Sequence, residues 1–155
     1  MSAKIGFDGG VGVPALLHWP GHAEAGRVVE MPCSTLDYFP TIMEVMGYEM
    51  PDDRPIDGIS LLPVIEGEMT ERPRPIPYRF NSAKAAMFDA PTIAMIDNQY
   101  KCLTNLSGDG GEDLCFDMVS DRAEATNLLD EQGELMGQTR EILREWLESC
   151  KISHN

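Results

Sequence analysis

The sequence predicts an α+β fold: the short end of an α/β layer, then a small antiparallel sheet packed by a C-terminal helix. Three observations point there. A continuous apolar run, VPALLHW, precedes an amphipathic helical pattern. The texture then changes at residues 66–77 (EGEMTERPRPIP), a polar, proline-rich stretch that reads as a connector. Beyond it come short extended runs separated by turn residues, then apolar residues at three- and four-residue spacing. The boundary is placed near residue 66, giving units 1–66 and 67–155.

In the first unit, Asp8-Gly9-Gly10-Val11-Gly12 puts three glycines where the backbone must turn tightly or pass close to another group. Val13–Trp19 is apolar on both faces, as a strand covered on both sides would be, and Pro20-Gly21 ends it. A short extended piece is expected at Arg27–Glu30. Ser34–Met46 reads as a helix. Pro40 is comfortable only in its first turn, which makes Asp37 the effective cap, and Gly47 supplies a left-handed stop. Phe39, Ile42, Met43, Val45 and Met46 form its apolar face. Asp57–Ile65 is a capped turn or short helix ending at Gly67.

In the second unit, Pro77–Phe80, Ala85–Phe88, Thr92–Asp97, Tyr100–Thr104 and Leu114–Met118 are the extended runs. Asp97-Asn98 makes a tight turn between two of them. Leu135, Thr139, Ile142, Leu143, Trp146, Leu147 and Cys150 form a helical stripe, with Asp130 as a cap. That stripe must cover one face of the sheet, with Trp146 and Leu143 as its anchors.

The 155 residues carry 12 Lys+Arg against 26 Asp+Glu, a formal net charge of −14. This balance disfavours nucleic acid, whose phosphates need basic charge, and also anionic lipid surfaces. No apolar run is long enough to span a membrane, and MSAKIGFDGG lacks the basic segment and apolar core of a secretory leader. The four cysteines (Cys33, Cys102, Cys115, Cys150) form no CxxC pair. Cys102 and Cys115 could meet across a hairpin, but buried free thiols are the default expectation.

A catalytic set is hard to find from residue types alone. His18, His22 and His154 have no metal-binding spacing. Asp52, Asp53 and Asp57, or Asp109, Glu112 and Asp113, could offer oxygens to a hard cation, but neither set follows a calcium-loop spacing. Ser34, Thr35 and Asp37 are explained by helix capping. Lys4 stands just before the glycine turn, where its ammonium could face an anion.

Several runs, in order, resemble sulfatases of the alkaline-phosphatase-like superfamily. Lys4–Gly21 (KIGFDGGVGVPALLHWPG) is similar to that family's lysine, (E/D)GG turn and VP-containing strand ending in WPG. Ser34–Thr41 (STLDYFPT), Asp57–Pro63 (DGISLLP), Tyr100–Leu103 (YKCL), Leu114–Met118 (LCFDM) and Asp121–Leu128 (DRAEATNL) resemble its later runs.

The resemblance implies that residues 1–66 are the end of a catalytic α/β sulfatase domain and 67–155 its C-terminal subdomain. It implies sulfate-ester hydrolysis for a full enzyme. The family's nucleophile segment, C-x-P-S-R or S-x-P-S-R, and its metal-binding aspartates are absent here: Cys33 is followed by Ser-Thr-Leu. The chain alone is therefore expected to be inactive and to hold no metal, with calcium or a similar divalent ion belonging to the full enzyme. Of the family's site residues only the sulfate-contacting lysine carries over, to Lys4. The implied partner is an N-terminal catalytic portion, with a homodimer as a further expectation. A periplasmic or secreted location would suit the family. The alternatives are a non-catalytic interaction or structural module on the same scaffold, and a phosphoester or phosphonate hydrolase relative.

Overall fold

The structure, a computed structural model, describes residues 11–80, 91–106 and 112–152. Its centre is an antiparallel meander of β1 (Ile76–Arg79), β2 (Ile93–Ile96), β3 (Tyr100–Thr104) and β4 (Leu114–Asp117), paired in chain order. The β2–β3 turn closes as its sequence suggests. Asp97 Oδ1 accepts from the N–H groups of Gln99 (2.7 Å) and Tyr100 (2.6 Å). The run expected at Ala85–Phe88 lies outside the described residues.

The sheet is dry on both faces. Register aligns Met95 with Cys102 and Cys102 with Cys115, so residues 93, 95, 102, 104 and 115 share one face. The long helix, here α3 (Gly133–Ile152), packs on that face. Leu143 meets Ile93 and Met95, flanked by Leu106, Trp146 and Leu147, while Met136 meets Cys102 and Cys115. On the opposite face Ala94, Leu103 and Phe116 are buried with Tyr78, Leu114 and Met118 around them. The helix begins at Gly133, so Asp130 lies before it rather than at its cap.

The first unit is small. A 3-10 turn at Thr35–Asp37 runs into α1 (Tyr38–Val45), and Gly47 leaves it with φ +69°. A short helix, α2 (Leu62–Glu66), ends at Gly67 with φ +85°. Met31, Ile59 and Val64 make a small core with Leu61 and Met69.

Two expectations are corrected. Val13–Trp19 is not a strand: no described segment runs beside it, so its backbone has no ladder to join, and Leu16 is 97% exposed. Arg27–Glu30, expected as a short extended piece of a loop, belongs to no described helix or strand. Cys102 and Cys115 are not free thiols. They sit directly opposite each other on β3 and β4, with Cα atoms 4.2 Å apart, and are joined as a disulfide. Cys33 and Cys150 are free and exposed.

Candidate functional site

The densest polar constellation is built around Asp37. Ser34 caps the 3-10 turn: its Oγ accepts the Leu36 N–H, and its own N–H donates to Asp37 Oδ2 (2.7 Å). Asp37 was expected to cap α1, but its carboxylate makes no cap bond to that helix and turns inward instead. There it is fully buried and receives both Nη atoms of Arg72, at 2.8 and 2.7 Å. The Ile59 N–H donates to its Oδ1 (2.9 Å). Burial pushes the Asp37 carboxyl up, but the Arg72 guanidinium and the Ile59 and Ser34 N–H groups outweigh it and hold it below the usual carboxylate range.

The neighbouring residues tie this pair to three segments. The Thr41 hydroxyl donates to the Asp37 carbonyl (2.6 Å) and accepts from the Leu61 N–H (2.8 Å). Gly58 lies against the backbone of Leu36, and a Cβ there would fall 2.1 Å from the Leu36 carbonyl oxygen, so no other residue fits without a backbone shift. The Arg72 N–H donates to Asn98 Oδ1 (2.6 Å), and Asn98 Nδ2 donates back to the Arg72 carbonyl (2.9 Å). Arg72 thus joins the start of α1 to the β2–β3 turn. Asp57 adds a second tie: its Oδ2 accepts the Trp146 indole N–H from α3 (2.9 Å).

A second constellation holds the far edge of the sheet. Lys101 and Glu124 form a buried ion pair at 2.6 Å, and Glu124 sits at φ +53°. Asp121 Oδ2 accepts the N–H groups of Ala125 and Thr126. Asn127 Oδ1 accepts from the Cys115 N–H (3.0 Å), and the Leu128 N–H donates to the Cys115 carbonyl (2.8 Å). Residues 121–128 are therefore a strap stitched along the free edge of β4.

Both constellations are built on internal ion pairs, Arg72 Nε being left without a hydrogen-bond partner among the described residues, and neither sets a nucleophile beside a base. Among the described residues no three His, Cys, Asp or Glu side chains come together as a metal-binding group, so Asp52, Asp53 and Asp57 do not assemble one. His18 is exposed, and His22 stacks on Trp19 with ring centroids 4.2 Å apart. Lys4, Asp109 and His154 lie outside the described residues. An open trough runs past Pro40, Tyr48, Met50 and Ile56, but its cations are engaged: Arg54 pairs with Asp53, and Arg74 donates to the Ile56 and Gly58 carbonyls. No described helix is long and apolar enough to cross a membrane.

The sequence matches the family described as N-sulphoglucosamine sulphohydrolase, C-terminal, over residues 3–152. The chain belongs to that family. As a C-terminal sulfatase portion it is 50% identical over 62 residues to human arylsulfatase D, covering 40% of this chain and 10% of the relative. It is 46% identical over 81 residues to pig N-acetylgalactosamine-6-sulfatase, covering 52% of this chain and 15% of the relative. The chain therefore spans only a small part of these relatives. In fold it is similar to the crystal structure of Ps i-CgsB, with a TM-score of 0.67, 23% identity and coverage of 83% of this chain and 27% of that one.

Within this sulfatase portion, the runs that carry the resemblance have structural jobs. Ser34, Asp37 and Thr41 of STLDYFPT, and Asp57, Gly58 and Ile59 of DGISLLP, build the Asp37 knot. Lys101 belongs to the YKCL run, while Glu124 and Asn127 belong to DRAEATNL; these residues build the strap. Sequence reading missed Arg72, because it lies in the stretch taken for a connector. Its one signal was an arginine held between Glu71 and Pro73.

Proposed function

We propose that this chain serves as the C-terminal portion of a sulfate-ester hydrolase, supplying scaffold and one wall of the pocket while the nucleophile and metal ligands come from a preceding portion. The observation that carries this reading is the match over residues 3–152 to a C-terminal sulfatase family, in a chain whose described polar clusters are spent on internal structure. Residues 1–66 then belong to the end of the catalytic α/β domain and 67–155 to the C-terminal subdomain. Lys4 would place its ammonium against the sulfate, and a calcium-like ion would be held by the preceding portion.

The exposed apolar residues support that arrangement. Val13, Leu16 and Leu17, with Phe39, Ile42 and Val45 of α1 and Met46 just after it, face solvent here. The proposed occupant of this surface is the catalytic portion that the relatives carry and this chain does not span. The chain by itself is expected to leave an aryl sulfate unhydrolysed in the presence of calcium. Turnover that copurifies with the folded chain would overturn the reading. A second copy can use the same apolar surface in isolation, so light scattering is expected to give a mass above one chain that grows with concentration. A strictly monomeric mass would mean that the surface needs no cover.

A further inference from the structure

We propose that α3 seals the Cys102–Cys115 disulfide, that the bond forms before this helix docks, and that the fold is therefore completed only where a disulfide donor is at hand. Three features support this. The two cysteines are directly opposed on adjacent strands, so pairing of β3 with β4 is enough to bring them together without α3. Once α3 is in place, the sulfurs are closed off: Cys102 is 1% and Cys115 0% exposed, under Met136 with Leu129 and Leu135 alongside. The strap adds a second cover, because residues 127 and 128 are bonded to the backbone of Cys115.

Thiol–disulfide exchange needs a thiolate to reach a donor sulfur in line, so access limits it. In the open hairpin one cysteine thiolate attacks the donor disulfide, and one donor thiolate leaves. The second cysteine thiolate then displaces the other donor thiolate and closes the bond. The two cysteines lose two electrons, the donor disulfide gains them, and the two released protons end on the donor thiols. With α3 docked, both this step and its reversal by a reductant wait on the helix opening. Cys33 and Cys150, exposed and unpaired, are left as the chain's free thiols.

The test uses the whole chain, folded in a glutathione redox buffer. Iodoacetamide labelling in denaturant should add two groups to the unreduced chain and four after reduction. In native buffer, dithiothreitol should reduce the bond slowly. The rate should rise at least about tenfold in Leu143→Ala, where the helix opens more often. Should that variant not fold, the same acceleration should appear for the unaltered chain in urea below its unfolding midpoint. Four labelled thiols without reduction, or a native reduction rate equal to that of the unfolded chain, would overturn the proposal.

Discussion

Arg72→Ala is expected to destabilise the chain by about 3–5 kcal/mol, the cost of leaving one member of a buried ion pair without its partner. The side chain delivers two hydrogen bonds to Asp37 in a site where the carboxylate has no access to water. Two backbone N–H groups, from Ser34 and Ile59, would remain on Asp37, but they carry no full positive charge. The loss should also loosen the β2–β3 turn from the start of α1, since the Arg72 backbone is held by Asn98. Urea denaturation followed by circular dichroism measures it, and a loss under about 0.5 kcal/mol, the range of surface changes, would show the pair to be incidental. The same pair sets an acid limit. Asp37 is held below its ordinary carboxylate value in the folded chain, so its contribution is complete above the unfolded value of about 3.9 and fades as pH falls through the folded one. The denaturation midpoint should hold from neutral pH to about pH 5 and drop below about pH 4, and Arg72→Ala should flatten that drop.

Leu143→Ala is expected to cost about 2–5 kcal/mol through lost burial and an unfilled cavity. Leu143 is fully buried at the centre of the α3–sheet contact, against Ile93 and Met95. Trp146, the other anchor expected from the helical spacing, is only partly buried and makes a polar tie to Asp57. Trp146→Phe should therefore cost only about 1 kcal/mol, the worth of one hydrogen bond. Equal effects from the two substitutions would mean that the helix is held as much by its polar tie to Asp57 as by its core.

What could be read in advance was what is local and periodic. Short extended runs between turn residues placed β1 to β4, Asp97 marked the β2–β3 turn, and apolar spacing placed α3. Gly47 and Gly67 marked helix ends correctly because a left-handed residue is needed there. Polar partnerships were not legible, because periodicity is silent about them: Arg72 lies 35 residues from Asp37, and Trp146 lies 89 from Asp57. Val13–Trp19 failed for another reason. Its composition suits the interior of a sheet, but a strand exists only where neighbours supply the ladder, and none is present among the described residues. The cysteine pair turned on register, since a one-residue slip between β3 and β4 would have put the sulfurs on opposite faces.

The division of labour proposed here, with scaffold from the Asp37 knot and sulfate contact from Lys4, is tested most directly in an enzyme that joins this chain to a sulfatase portion carrying the nucleophile and ion ligands. Aryl sulfate turnover per folded molecule is measured for Lys4→Ala and compared with its melting temperature. The expected result is a fall in turnover of about 10²-fold, the cost of removing one group that stabilises developing charge, with the melting temperature unmoved. Unaltered turnover, or a loss explained wholly by unfolding, would contradict the assignment of Lys4 to the sulfate.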